Sequence, residues 1–140
     1  MGTGYAAESS ADTRLGTILE VHGPVVVIAC DRLPPLHQAL YASLDHERYL
    51  FEVHQHLDQD HVRAITLHRT AGLRRGAPVY DTGAPLHVPV TPQCLGRLLN
   101  IFGEPLDEGV PLHEEGFRNV HSRPAPLHEA IGASGILETG

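Results

Sequence analysis

Residues 49–67 have the sequence YLFEVHQHLDQDHVRAITL and carry the clearest structural signal in the chain. Tyr49, Phe51 and Val53 occupy every second position of this segment, which is the period-2 pattern of a half-buried strand. A second strand is predicted from Val62 to Leu67, after a short polar connection at Asp58–Asp60. Two strands joined so briefly are predicted to pair as an antiparallel hairpin.

Further short apolar runs lie on both sides of this hairpin. The runs GTILEV and VVVIAC are joined by a turn-forming Gly-Pro pair and predict two earlier strands. Pro34-Pro35 interrupts regular structure, so an irregular excursion is predicted from Leu36 to Ser43. Ala77–Tyr80 and Leu86–Val90 predict two later strands around a turn at Asp81–Gly83. Six short strands predict an all-β domain, a small six-stranded closed β-barrel over residues 14–90, which leaves no unpaired sheet edge.

The hydrophobic period changes after residue 90. Thr91 and Pro92 suit the start of a helix, and Gly103 suits its end. Between them lies one apolar stripe at helical spacing, formed by Leu95, Leu98, Leu99 and Phe102. This pattern predicts one short helix, followed by an extended Pro/Gly linker to residue 140. Residues 91–140 are therefore expected to begin a further domain that is cut off, and residues 1–13, which lack periodicity, are expected to form a disordered leader.

Composition restricts the class of function. The formal net charge is −7, every fixed positive charge is an arginine, and aromatic residues make up 5% of the chain. An acidic protein with few aromatic side chains is a poor nucleic-acid binder, so no nucleic-acid partner is expected. No signal peptide or membrane-spanning run is visible, so we expect a soluble, intracellular protein without direct membrane insertion. Cys30 and Cys94 match no metal or redox spacing and are expected to be small apolar side chains.

Several ordered segments resemble one family. DTGAPLHVPV (residues 81–90) and LGRLLNIFGEPLDEG (residues 95–109) are similar to the signature region of F-type ATP synthase beta subunits. Supporting matches, in family order, are HGPVVVI, LPPLHQAL, FEVHQHL, VRAITL, GLRRG and the terminal ILETG. The chain thus resembles the N-terminal segment of such a subunit over residues 14–140. The stretch Asn100–Asp107 and ILETG also resemble the alternative, sodium-linked branch of these synthases.

The resemblance implies an N-terminal barrel followed by a P-loop domain and a helical domain. It implies alternation of three beta with three alpha subunits around a central stalk, where side-by-side barrels form a crown that holds the hexamer together. The resemblance further implies a parent complex that couples ATP synthesis or hydrolysis to proton or sodium transport. Such a complex would be bound peripherally on the cytoplasmic side of the inner or plasma membrane. ATP or ADP with magnesium would be cofactors of the full-length subunit.

Nothing in these residues supplies the chemistry of phosphoryl transfer. A P-loop requires a glycine-rich turn with a lysine, and this chain contains no lysine. The nearest glycine-rich candidate, Gly132–Gly135, lacks the pattern and a preceding strand. We therefore predict no catalytic, cofactor-binding or metal-binding residue, and no enzymatic activity, for the fragment itself.

Three side-chain groups allow other interpretations. His54, His56 and His61 could approach one another across the hairpin as a metal site, but solvated strand-edge histidines are the simpler explanation. Glu104, Asp107 and Glu108 could form an acid–base pair, but a polar turn around Pro105 is favoured. The pair Arg74-Arg75 could bind an anion or form an interface salt bridge, and solvated turn residues are favoured.

Two other functions stay open at the level of sequence. The first is the equivalent barrel of a type III export ATPase, an alpha subunit or a vacuolar-type subunit. The segments GEPLDEG and ILETG favour a beta subunit over these alternatives. The second is a stand-alone barrel that binds a small ligand or oligonucleotides, which the acidic charge and sparse aromatic residues disfavour.

Overall fold

The computed structural model describes residues 13–110, 112, 116–124 and 126. Its regular elements are almost all strands, most of them β-branched or apolar runs bounded by Gly, Pro or Asp turns. In chain order they are β1 (Arg14–His22), β2 (Val25–Cys30), β3 (Gln38–Leu44), β4 (Glu47–His56), β5 (His61–Thr66), β6 (Pro78–Pro85), β7 (His87–Pro89), a 3-10 helix (Pro92–Cys94) and β8 (Phe117–Asn119).

The first six strands form a closed barrel in the order β1-β2-β5-β4-β3-β6, with every neighbouring pair antiparallel. The predicted all-β fold with a closed six-stranded barrel is confirmed. The predicted hairpin is β4–β5, and the Gly-Pro turn joins β1 to β2 with Gly23 at a φ of 57°. β3 and β4 are joined through Asp45 and His46, which both have positive φ values.

The barrel interior is filled by side chains that alternate inward along the strands. Phe51, on β4, is the largest of the fully buried side chains. The core cluster consists of Leu15, Ile18, Val26, Ile28, Cys30, Leu40, Ala42, Tyr49, Phe51, Val53, Val62, Ala64, Ala77 and Val79. A barrel of so few strands has an interior just wide enough for its own side chains, so this space is a core and not a ligand cavity.

The predicted irregular excursion from Leu36 to Ser43 is wrong, because most of it is strand β3. The structure shows β3 beginning at Gln38, directly after His37 with its positive φ. Residues 38–42 of β3 are all buried, on both faces of the strand. A strand covered on both faces has no reason to alternate polar and apolar residues, so it lacked the period-2 signal.

The sixth barrel strand is also not the one predicted. The run Leu86–Val90 predicts a barrel strand, but within the described residues β7 pairs with β8 in a separate two-stranded sheet. The predicted turn at Asp81–Gly83 lies inside β6, which runs through it to Pro85. β3 therefore takes the place in the barrel that had been given to Leu86–Val90.

The predicted amphipathic helix from Thr91 to Phe102 is wrong, because only Pro92–Cys94 forms a single 3-10 turn. The Thr91 side chain makes no capping hydrogen bond, and Leu95 already has an extended backbone. Gly96 follows with a φ of 70°, a left-handed conformation that a continuing right-handed helix does not allow. The remaining segment folds back on itself through an antiparallel bridge between Leu99 and Pro105.

The chain divides into two compact units, with the barrel unit ending at Leu86 and the second unit starting at His87. The second unit contains β7, β8 and the turns between them. Part of the predicted linker is thus ordered strand. In the described part of the chain, no helix has the length and apolar character needed to cross a lipid bilayer. Residues 1–12, Gly132–Gly135 and the terminal ILETG lie outside the described residues.

Candidate functional site

The DTG motif, part of the signature resemblance, lies at the junction between β3 and β6. The Asp81 side chain is only 9% exposed, and its Oδ1 accepts hydrogen bonds from Gln38 Nε2 at 2.6 Å and Gly83 N–H at 2.8 Å. Arg32 Nη2 donates to Oδ2 at 3.4 Å. The register of β3 against β6 shifts at this point, and Asp81 satisfies donors that the irregular pairing would otherwise leave unpaired. Asp81 therefore closes the barrel.

Thr82 strengthens the same junction from the neighbouring position. Its hydroxyl lies 2.7 Å from the carbonyl oxygen of Ala39 and 2.9 Å from that of Ala84, at hydrogen-bonding distance to both strands. The motif is thus explained by barrel closure. Sequence alone could not reveal its partner Gln38, which lies 43 positions earlier in the chain.

An aromatic stack covers the outer face of the barrel beside this junction. Tyr41 and Tyr80 are register partners on β3 and β6, with ring centroids 5.3 Å apart and an interplanar angle of 24°. The guanidinium carbon of Arg48 lies 3.9 Å from the Tyr41 ring centroid, which is cation–π geometry. Tyr41 is buried beneath this stack, whereas Tyr80 is half-buried and Arg48 stays exposed.

The tip of the β4–β5 hairpin gathers two carboxylates around one imidazole. His61 Nδ1 lies 2.8 Å from Asp58 Oδ1 and 2.8 Å from Asp60 Oδ1. Hydrogen bonds, first from the backbone N–H of Asp60 and then from His61, lower the pKa of Asp58 from 3.8 to about 2. The hydrogen bond to Asp58 raises the pKa of His61 above its ordinary value. The turn is held together by charge-assisted hydrogen bonds.

The three histidines considered as a metal site, His54, His56 and His61, do not come together in the structure. His61 turns towards Asp58 and Asp60, and these three side chains are the ones at the tip whose ligand atoms are close enough to share a metal ion. His56 instead lies at hydrogen-bonding distance from the Pro34 carbonyl oxygen, 2.8 Å away. A register shift between Val53 and Gln55 removes the simple shared face expected for His54 and His56. The mutual hydrogen bonds of the tip explain its geometry without a ligand.

The acidic residues after Gly103 are organised by an arginine. Arg97 binds Asp107 in a bidentate pair, with both N···O distances at 2.6 Å, and also donates to the carbonyl oxygen of Val110. This pairing holds the pKa of Asp107 well below its usual range. Glu104 is bonded to Asn100, which shapes the turn between them. The favoured interpretation, a polar turn around Pro105, accounts for these contacts, and the role of Arg97 was not predicted from the sequence.

The remaining candidates are surface groups. Arg74 forms an ion pair with Asp45 at 2.8 Å, in which both side chains are more than half exposed. Such pairs contribute little to stability because water and salt screen them. Both cysteines are free thiols, and burial raises the pKa of Cys30 from 9.0 to about 11, which makes it an inert core side chain.

Comparison with known families gives this geometry a context. Residues 18–83 match the family model described as the ATP synthase alpha/beta family, beta-barrel domain. The matched segment begins inside β1 and ends inside β6, so it includes residues of all six barrel strands. The barrel segment therefore matches the β-barrel domain of the ATP synthase alpha/beta family. The resemblance inferred from sequence is confirmed at this level, and its narrower form, an F-type beta subunit, stays a prediction.

Proposed function

We propose that this chain supplies the N-terminal barrel of the catalytic beta subunit of a rotary F-type ATP synthase. In this role the barrel packs beside the barrels of neighbouring alpha subunits and holds the alternating hexamer together. The observation that carries the proposal is the family match, which covers the segment that closes into the barrel. The segments GEPLDEG and ILETG favour a beta subunit within that family.

The architecture of the barrel supports an assembly role. Its interior is filled by its own core, so a partner can only be bound on the outer surface or at the ends. Closure also removes the free strand edges through which open sheets aggregate without specificity. A rigid, closed body is suited to holding neighbours in place while other domains move.

We also infer that this chain does not hold ATP by itself. A P-loop lysine is required to reach the outer phosphates, and the sequence contains no lysine. In the proposed subunit, ATP or ADP with magnesium would be bound by a further domain, which would also contact the central stalk. The complex would be attached peripherally to a membrane whose coupling ion is set elsewhere.

Two measurements test the proposal. Sedimentation velocity of this chain mixed with the N-terminal barrel of an ATP synthase alpha subunit should show a heterologous complex, and failure to associate at millimolar concentration would contradict the assembly role. Isothermal titration with ATP and magnesium should give no binding heat. Saturable binding at micromolar ATP would contradict the absence of a phosphate site.

The family match is shared by related subunits, which defines the second candidate. The family match covers the barrel alone, so the barrel of an alpha subunit, a vacuolar-type subunit or a type III export ATPase would satisfy it equally well. The gene sequence following codon 140 distinguishes them. A beta subunit should continue into a GxxxxGKT motif within roughly thirty residues, followed by its catalytic carboxylate.

A further inference from the structure

The outward positions of the barrel strands differ in how much accessible surface they keep. On β3 and β4 the outward positions Ala39, Tyr41 and Leu50 are almost completely buried. On β1, β2 and β5 the outward side chains are half-buried or exposed, although several are apolar. The face formed by these three adjacent strands, named here the β1–β2–β5 face, is therefore available to a partner.

The central row of this face has opposite charges at its two ends. Glu20 on β1 is the register partner of Val27 on β2, and Val27 is the register partner of Arg63 on β5. Val26 and Ile28 belong to the core, so Val27 and its two partners point outward. An acidic side chain, an apolar side chain and a basic side chain thus cross the face in one line.

Both charges are available to a second molecule. Arg63 Nη1 donates to the neutral amide oxygen of Gln55 at 2.9 Å, so this contact leaves its positive charge uncompensated. The Glu20 carboxylate lies 2.9 Å from His22, which is charged only when protonated, and both side chains are more than half exposed. Glu20 and Arg63 lie on the two strands that flank β2, about 9–10 Å apart at two strand spacings, and neither pairs with the other.

We propose that the β1–β2–β5 face binds a second copy of this chain about a two-fold axis that runs along β2. This rotation places β1 of each copy opposite β5 of the other while leaving the strand direction unchanged. Val27 then meets Val27 on the axis. Glu20 of each copy meets Arg63 of the other, and this ion pair is made twice.

The rows on either side fit the same symmetry. The row above contains Thr17, Ala29 and His61, and the row below contains His22, Val25 and Ile65. The two-fold axis brings the apolar residues of β2 together and places no like-charged pair of acidic or arginine side chains in contact. With three rows of three residues the face is smaller than the ~20–30 residues per side of a stable interface, so the dimer is weak and reversible.

This homodimer does not depend on the proposed ring. A two-fold contact joins identical surfaces, whereas the alternating hexamer joins different ones. The test therefore uses this chain alone, by sedimentation velocity from micromolar to millimolar concentration at low salt. The unmodified chain should show concentration-dependent dimerisation.

Charge reversal identifies the interface. Glu20→Arg and Arg63→Glu should each weaken dimerisation by about tenfold or more, because every reversal creates two like-charge contacts. The double variant restores both pairs and should dimerise as the unmodified chain does. Val27→Arg, which places two cations on the axis, should abolish dimerisation. Arg75→Glu carries the same charge change as Arg63→Glu at an exposed position outside the face, and should have no effect.

Far-UV circular dichroism confirms that each variant is folded before its association is measured. A chain that stays monomeric throughout the concentration range would overturn the proposal. A dimer that is insensitive to both single reversals, or that the double variant does not restore, would also overturn it. Association with an alpha subunit barrel but not with a second copy of this chain would overturn the proposal as well.

Discussion

Replacing Asp81 by alanine tests whether the β3–β6 junction stabilises the barrel. The side chain is almost buried and accepts two short hydrogen bonds, from Gln38 and from the backbone of Gly83. Removing a charged acceptor of this kind costs about 1.5–3 kcal/mol per hydrogen bond, and the buried Gln38 amide would lose this acceptor. The contact with Arg32 adds little, because that arginine is 70% exposed. We expect the free energy of unfolding to fall by roughly 2–4 kcal/mol, mostly from the part-buried Gln38 bond, because the exposed Gly83 N–H can bond to water instead.

Asp45→Ala is the matched control, since Asp45 also pairs with an arginine but is 78% exposed. Its loss should cost no more than about 1 kcal/mol. Asp81→Asn, which keeps the shape and loses the charge, should lie between the two. Urea unfolding followed by far-UV circular dichroism measures all three, which suits a chain without tryptophan. If Asp81→Ala is no more destabilising than Asp45→Ala, the junction does not close the barrel as argued.

Three further predictions concern single positions. Gly16→Ala should destabilise the barrel by roughly 2–3 kcal/mol or more, because the added Cβ would lie 1.8 Å from a backbone oxygen of β2. Gly76→Ala is the comparison: its Cβ would meet open space, but the φ of 82° is unfavourable for alanine, so the cost should be about 1 kcal/mol. Urea unfolding measures both variants. The lowered pKa of Asp107 means that its pair with Arg97 contributes fully above the ordinary carboxyl pKa of 3.8 and is lost as the pH falls towards the lowered value. Over that range the protection factors of the amides of residues 97–110, corrected for the pH dependence of intrinsic exchange, should fall. The His61–Asp58 contact should be fully formed between pH 3.8 and 6.5, where Asp58 is ionised and His61 is protonated. It should weaken as the pH rises through the raised pKa of His61 or falls towards 2, the lowered pKa of Asp58. An NMR titration that gives His61 a pKa at or below 6.5 would contradict this prediction.

The strands that were correctly predicted from sequence are those whose own residues show a regular spacing of apolar side chains bounded by turn residues. The β4–β5 hairpin was found because large apolar side chains recur at every second position from Tyr49 to Val53 and a short polar turn follows. β3 was missed because it is buried on both faces. The helix after Thr91 was wrongly predicted because the apolar spacing was given more weight than Gly96, whose positive φ ends any helical path.

The candidate sites were harder to predict because their contacts join distant parts of the chain. The partner of Asp81 is 43 positions away and depends on β3, which the sequence analysis had treated as irregular. Arg97 and Asp107 are ten positions apart, a spacing that only the fold-back of their turn brings together. The composition did correctly indicate that Cys30 is a core side chain, because burial needs no specific partner.

The distribution of accessible surface limits where any partner can gain affinity from this barrel. Apolar association is driven by area removed from water, at about 25 cal/mol per Å². Ala39, Tyr41 and Leu50 point outward but have almost no accessible area left to bury, and the interior is already filled. Val27 and its neighbours on β2 retain exposed apolar area between two charged strands. The β1–β2–β5 face therefore offers apolar area that Ala39, Tyr41 and Leu50 do not, and Val27→Arg should weaken association through this face far more than a substitution of Ala39 or Tyr41.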